Sequence, residues 1–478
     1  MSQETTQFPP DFVWGTATAS YQIEGGAHEG GRGPSIWDTF SHTPGKIHSG
    51  DTGDIACDHY HRWQEDIGII DWLGVSAYRL SIAWPRIMPT EMGGVNQAGL
   101  DFYGKIIDAL NARNIKPVVT LYHWDLPQYL QDKGGWASRD TAFAFQEYAR
   151  VLAREFAGRV AVWTTLNEPW CSAYLGYAAG VHAPGIQDPQ QAMQAVHHLN
   201  LAHGLAAMAI REECGEDAQI SVTLNLHVVR PDDPTNPSSQ EAAQQIRLLG
   251  NEAFLGPMLE GTYPPELVEL TSRDVRWDFI HDGDLALINQ QLDVLGINYY
   301  NPTKVRMAPE GAVPERHDGH DPSGKSPWVS ADRVEFLELP GEKTEMGWPI
   351  DATGLTELLL ELSQRYPDLP LMVTENGMAD ADPDEVIEGQ IYDPKRISYL
   401  RDHIAAVHTA IGQGADVRGY FVWSLLDNFE WSYGYTKRFG IIHVNYTTLE
   451  RTPKASAHWY RKLIQSGGSS FQICSKDV

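Results

Sequence analysis

The chain has 478 residues and a formal net charge of −27, from 36 Lys and Arg against 63 Asp and Glu. That balance, with no Lys/Arg run to reverse it, argues against nucleic acid as a partner, and no apolar run approaches the ~20 residues that would cross a membrane. Four scattered cysteines, Cys57, Cys171, Cys214 and Cys474, form no CxxC pair, so zinc and redox motifs are not indicated and free thiols in a reducing compartment are.

The first seven residues carry neither a basic nor an apolar region, so no signal peptide and a cytoplasmic location are expected. The first strand begins near Phe12 and passes through Trp14 and Gly15 to Gln22. Trp63, Ile67, Ile70 and Leu73 have helical spacing, with Gly74 where a C-terminal cap belongs. A second strand follows over residues 77–82. Leu100, Tyr103, Ile107 and Leu110 mark a helix face, and residues 116–122 a third strand, opening into His123 and Trp124. Phe145, Tyr148, Leu152 and Phe156 mark another helix, and residues 160–167 are the fourth strand.

Asp188-Pro189 reads as an N-cap with proline in the first helical position, leading a long Ala-rich helix to about Glu213. Strands five and six are expected over residues 220–226 and 292–300, with a loop at 231–239. A polar insertion over 301–346 reads as a lid or a small elaboration of its own. Leu355, Leu358, Leu359, Leu362 and Tyr366 are helical. The seventh strand is Leu371-Met372-Val373-Thr374-Glu375, followed by the turn signal Asn376-Gly377. A helix from Asp393-Pro394 and an eighth strand over 417–425 complete the series. The acidic patch Asp380–Glu385 reads as an exposed loop rather than a metal site.

Eight buried-type strands alternating with helices predict an α/β fold, a single (β/α)8 barrel with elaborated loops at the C-terminal ends of the strands. One catalytic domain is expected over 1–478, with tails at 1–8 and 467–478.

In such a barrel the site lies where the strands end. Those ends carry Gln22, Arg79, His123-Trp124, Asn167-Glu168, Asn298, Tyr300, Glu375 and Trp423, with Glu430 and Trp431 just beyond. His123 is the only histidine among them, so no metal is expected. No phosphate cradle or nucleophile elbow is visible, and no cofactor is expected. Two carboxylates, neutral hydroxyl-binding groups and indoles suit glycoside hydrolysis. Arg79 and Tyr300 stand where they can supply a positive charge and a hydrogen bond to Glu375, which favours Glu375 as the ionised partner and Glu168 as the acid. Position alone leaves the reverse assignment open.

The motifs resemble the family 1 glycoside hydrolases, typified by β-glucosidases. They are Phe12-x-Trp14-Gly15-x-Ala17-Thr18-Ala19-x-x-Gln22-x-Glu24-Gly25, Thr165-Leu166-Asn167-Glu168-Pro169 and Val373-Thr374-Glu375-Asn376-Gly377, within a resemblance that runs from Phe12 to about Tyr460. It implies a retaining mechanism, with Glu168 as acid then base and Glu375 as nucleophile. It also implies that Gln22, His123, Asn167 and Glu430 bind sugar hydroxyls, that Trp423 forms the floor, and that Trp124 and Trp431 belong to the sugar site. Asn298 and Tyr300 would support it, and Trp170 and Trp348 would line the aglycone side.

The substrates implied are β-glucosides: cellobiose, short cello-oligosaccharides and aryl β-glucosides. Galactoside, fucoside or mannoside preference is the alternative within the family, and a silent sugar-binding barrel the alternative outside it. Relatives that act on 6-phosphorylated sugars usually carry Ser where Glu430 stands. An anion at Glu430 and a Phe at 439 argue against a phosphate. Glu168 in place of Gln argues for O-glycosides over thioglycosides. Oligomeric state does not follow from the sequence.

Overall fold

Eight short runs are buried on both faces, as strands must be when they separate a packed barrel interior from a ring of helices. They are β1 (Val13–Ala17), β2 (Ala77–Ser81), β3 (Lys116–Tyr122), β4 (Val162–Asn167), β5 (Ile220–Leu224), β6 (Val294–Asn298), β7 (Leu371–Asn376) and β8 (Val417–Trp423). In this computed structural model, which describes residues 7–91, 94–319, 324–381, 386–387 and 390–469, every pairing in the barrel is parallel and the sheet closes, β1 lying between β8 and β2. Each strand is followed by a principal helix: α1 (His59–Leu73), α2 (Gln97–Asn111), α3 (Asp140–Phe156), α4 (Pro189–Cys214), α5 (Pro237–Arg247), α6 (Thr353–Arg365), α7 (Pro394–Gly412) and α8 (Ala455–Gln465).

Local chemistry sets the helix limits. α1 stops at Gly74, whose φ of 77° is the left-handed cap conformation that glycine adopts without a Cβ clash. α4 starts where the Asp188 carboxylate accepts from the backbone N–H groups of Gln190 and Gln191, with Pro189 in the first turn. Such a cap stabilises a helix by about 1 kcal/mol. α2 buries Leu100, Tyr103, Ile107 and Leu110, the stripe its spacing requires.

Several boundaries differ from the sequence reading. Strands one, two, four, five, six and eight are shorter than expected: strands five and eight lose residues at their C-terminal ends, strand four at its N-terminal end and strand six at both, and Gln22 lies on a short helix, Ser20–Ile23, past β1. The expected loop at 231–239 is confined to residues 232–236, between a strand, Val229–Pro231, and α5, which the Asn236 side chain caps through the Ser238 N–H. The 301–346 insertion is an elaboration with its own sheet. Thr303–Met307 pairs with Val229–Pro231 on one side and antiparallel with Val334–Leu337 on the other. The expected N-terminal tail ends earlier, because Phe8 is buried with ring centroids 4.5 Å from Phe12 and 4.9 Å from Trp14. Of the acidic patch, residues 382–385 lie outside the described residues, as does Cys474. Among the described residues no helix is long and apolar enough to cross a membrane.

Candidate active site

Glu375 and Glu168 stand at the ends of β7 and β4, and both strands slip register close to them. β7 shifts against β6 between Val373 and Glu375, and β4 against β5 between Thr164 and Asn167. Such irregularities re-aim side chains, and here they fall next to the two carboxylates. The residues after Glu375 lock the strand end. Asn376 donates to the Tyr299 carbonyl (2.7 Å) and Tyr399 hydroxyl (3.1 Å) and accepts from Tyr420 (2.6 Å). A β-carbon on Gly377 would lie 1.7 Å from the Trp423 carbonyl oxygen. Asn376-Gly377 therefore serves close backbone approach and anchoring, not the turn its dipeptide suggests.

Glu168 adopts φ 44°, Trp124 74° and Trp431 49°. Three non-glycine residues in the left-handed region at one site store strain of about 1 kcal/mol or more each, held by surrounding contacts. At Glu168 the backbone turns sharply into a π-helical stretch, Cys171–Ala179, and the Cys171 N–H donates back to the Glu168 carbonyl (2.9 Å). π-helical turns of this kind are frequent at functional sites.

One hydrogen-bond network joins the carboxylates. Arg79 donates to Glu375 Oε1 at 2.5 Å and to Asn167 Oδ1 at 2.6 Å. Tyr300 donates to the other Glu375 oxygen at 2.7 Å. Asn298 donates to Asn167 Oδ1 at 3.1 Å and to Glu168 Oε1 at 2.8 Å. Since Asn167 Oδ1 accepts twice, its Nδ2 is the donor to His123 Nε2 (3.0 Å), and the His123 proton belongs on Nδ1.

Burial and charge then separate the acids. Glu168 is pushed up to about 8, first by burial and then by the negative charge of Glu375. Glu430 is also pushed up to about 8, by burial and Glu375 in the same order. Burial, then Glu375, raises the Tyr300 hydroxyl well above its ordinary range, so it stays a donor. Burial, with Arg79 nearby, lowers His123 far enough to keep it neutral. Burial and the charge on Glu375 thus favour the protonated form of Glu430 over the anion expected from the sequence. The argument against a sugar phosphate rests instead on the groups close by. The Lys437 ammonium is bound to the Glu345 carbonyl at 2.5 Å, and Phe439 offers no hydroxyl.

A cavity of about 160 Å³ opens onto these groups. Glu168, Glu375, Glu430, His123, Asn298 and Tyr300 line it, together with Trp124, Trp348, Trp423 and Trp431. The rings are mutually braced: His123 stacks on Trp423 at 5.8 Å and 17°, and Trp124 lies 4.6 Å from Trp431. Gln22, Asn167 and Arg79 adjoin the lining residues and hold Glu430, His123 and Glu375 by hydrogen bonds. Gln22 donates to Glu430 Oε2 (3.3 Å) and the Phe429 carbonyl (2.9 Å). Gln22 Oε1 and His123 Nδ1 are buried with no hydrogen-bond partner. His123 lines the cavity and Gln22 reaches it through Glu430, so both atoms are candidates for completion by a ligand.

Trp170 is the misplaced member of the sequence reading. It is 1 % exposed and packs with Tyr174, His227 and Trp328 at ring separations of 5.5, 5.0 and 5.0 Å, outside the cavity lining. The sharp turn after Glu168 carries it into the core. Conversely, Cys171 and Asn225 line the cavity, and the sequence reading does not single them out as site residues. Asn225 is the first residue past β5, so strand-end position is the signal that finds it.

Residues 4–469 match the family model described as Glycosyl hydrolase family 1. The chain belongs to that family. This family 1 enzyme is therefore a glycoside hydrolase. It is 50% identical over 467 residues to a bifunctional β-D-glucosidase/β-D-fucosidase of Bifidobacterium breve, covering 96% of this chain and 98% of that one. It is 45% identical to β-glucosidase A of Acetivibrio thermocellus, over 96% and 99% of the two chains. Among solved structures it is similar to the psychrophilic β-glucosidase BglU of Micrococcus antarcticus, with TM-score 0.91 and 45% identity over 96% of this chain and 98% of that one. It is also similar to the Thermotoga maritima β-glucosidase in complex with deoxynojirimycin, with TM-score 0.89 and 44% identity over 97% of this chain and 100% of that one.

Proposed function

We propose that the enzyme is a retaining β-glucosidase that releases terminal non-reducing β-D-glucosyl residues from cellobiose, short cello-oligosaccharides and aryl β-glucosides. The observation that carries this reading is the division between the two glutamates. Glu375 has a guanidinium on one oxygen and a phenol on the other, whereas burial and the charge on Glu375 favour the protonated form of Glu168. An ionised nucleophile beside a protonated acid is what double displacement requires.

In the first step a Glu375 oxygen bonds to the anomeric carbon as the bond to the leaving oxygen breaks, and the Glu168 proton passes to that oxygen. In the second, Glu168 takes a proton from water as the water oxygen attacks the anomeric carbon. The ester to Glu375 breaks, and the β configuration is restored. Gln22, His123, Asn167, Glu430 and Trp431 take the sugar hydroxyls over the Trp423 floor, with Trp124 bracing Trp431. Trp348 lines the path of the leaving group. The unpartnered Gln22 Oε1 and His123 Nδ1 support the hydroxyl assignment. The fucosidase activity in the name of the Bifidobacterium relative supports β-fucosides as second substrates.

The test is azide rescue. Glu168→Ala should still be glycosylated by a dinitrophenyl β-glucoside, and azide should then speed turnover and give the β-glucosyl azide. Glu375→Ala should instead give the α-azide. Exchanged products would reverse the roles, and near-wild-type cellobiose turnover in either variant would end the proposal.

A further inference from the structure

The two oxygens of Glu168 have different partners. Oε1 accepts from the Asn298 amide at 2.8 Å, which fixes it as an acceptor. Oε2 lies 3.5 Å from the Cys171 sulfur, with the thiol as donor. The same sulfur accepts from Asn225 Nδ2, also at 3.5 Å. Cys171 is 6 % exposed and lines the cavity. Its place follows from the turn already described, which closes through the hydrogen bond from the Cys171 N–H to the Glu168 carbonyl and brings the side chain back beside the carboxyl group.

We propose that Cys171 is a positioning residue for the acid/base, its thiol donating to Oε2 of Glu168 while Asn225 holds the sulfur from the other side. The inference rests on Glu168 being the acid/base. Because Asn298 occupies Oε1, the mobile proton belongs on Oε2, the oxygen free to hand it to the leaving group. A thiol is a weak donor and a weak acceptor. It interacts little with a protonated Oε2 and more with an ionised one, so it favours the carboxylate without trapping it, and it holds the same oxygen in place for the return of the proton from water. Burial and the adjoining Glu168 raise Cys171 well above the ordinary thiol range, so it stays a thiol and not a competing nucleophile.

A donor to the charged form lowers a carboxyl pKa, so losing it raises that pKa. The acid must be protonated in the free enzyme, and kcat/KM falls as pH rises through its pKa. The experiment is the pH profile of kcat/KM on phenyl β-glucoside for wild type, Cys171→Ala, Cys171→Val, Asn225→Ala, Asn225→Ala with Cys171→Val, and Glu168→Ala. Valine fills the thiol's space but cannot donate. Both cysteine variants should move the basic limb upward by about half a pH unit, the scale of a weak hydrogen bond. Asn225→Ala should move the limb upward in the wild-type background and leave it unmoved where Cys171 is already Val.

A limb that is unmoved or lowered in Cys171→Val overturns the thiol's role, as does an Asn225→Ala effect equal in both backgrounds. Glu375 and Arg79 also act on Glu168, and Glu430 beside them is itself pushed up to about 8, so the profiles are read in a Glu430→Gln background, where Glu168→Ala should lose the basic limb. If it keeps that limb, the assignment of the acid fails and this inference with it; if the limb is lost there but unmoved in Cys171→Val, only the thiol's role fails.

Discussion

Replacing Glu430 with glutamine should stabilise the enzyme, and increasingly so as pH rises. Glu430 is buried at the cavity wall beside Glu375 and is pushed from 4.5 to about 8. Between those pH values the native state keeps a proton that the unfolded chain has released. Native stability therefore falls as pH rises through that window, and the penalty is complete above about 8. At ~1.36 kcal/mol per pH unit the gap sets a ceiling of ~5 kcal/mol. Water in the cavity and a shared site with Glu168 reduce this, so about 2 kcal/mol is a fair expectation at pH 9. In Glu430→Gln the new amide would keep the shape and still accept from Gln22, but it cannot ionise. The assay is urea unfolding at pH 5, 7 and 9, or the inactivation half-life where unfolding is irreversible. The variant should match wild type at pH 5 and gain on it at pH 7 and again at pH 9. A difference that is constant with pH, or that shrinks as pH rises, would refute the assignment of a protonated Glu430.

Trp170→Ala should lower stability by about 3–5 kcal/mol through the cavity it leaves, seen in denaturant unfolding, while the ratio of KM values for aryl and alkyl glucosides stays near wild type. Trp348→Ala should do the reverse, shifting that ratio with little change in unfolding. Glu430→Ser should reduce kcat/KM on glucosides at least tenfold without creating 6-phosphoglucoside turnover, measured on the two nitrophenyl substrates, because no cation enters with the serine.

The barrel was legible because its strands are buried on both faces, which writes each as a short apolar run with chemistry-bearing residues at one end. Glu168, Glu375 and Trp423 could be placed on strand order alone. What the sequence did not reveal depends on groups distant along the chain. The pairing of Val229–Pro231 with Thr303–Met307 spans a long, polar connection with no periodic pattern. The raised pKa of Glu430 depends on carboxyls from two strand ends and the loop after β8 meeting in one cavity. Trp170 and Cys171 follow Glu168 closely, yet one turns into the core and the other into the site. That choice is made by the left-handed φ at Glu168 and the π-helical turn after it, and neither has a composition signal.

In the proposed double displacement, the same arithmetic of charge would let Glu168 act as an acid in one step and a base in the next. Its carboxyl is raised by burial and by the charge on Glu375. When Glu375 becomes the glycosyl ester, that charge disappears. Carboxyls at a retaining spacing of ~5.5 Å, with an effective dielectric of ~20, repel by about 3 kcal/mol, or roughly two pH units. Arg79, which already lowers Glu168, is at the same moment freed of its charged partner. Both changes act downward, so the group that gave up its proton becomes a carboxylate able to take one from water. Trapping Glu375 with a 2-fluoroglucosyl group and titrating a ¹³C-labelled Glu168 carboxyl would measure this directly. The pKa should fall by at least one unit on trapping; an unchanged value would mean that burial alone sets it, and that the exchange of roles has another cause.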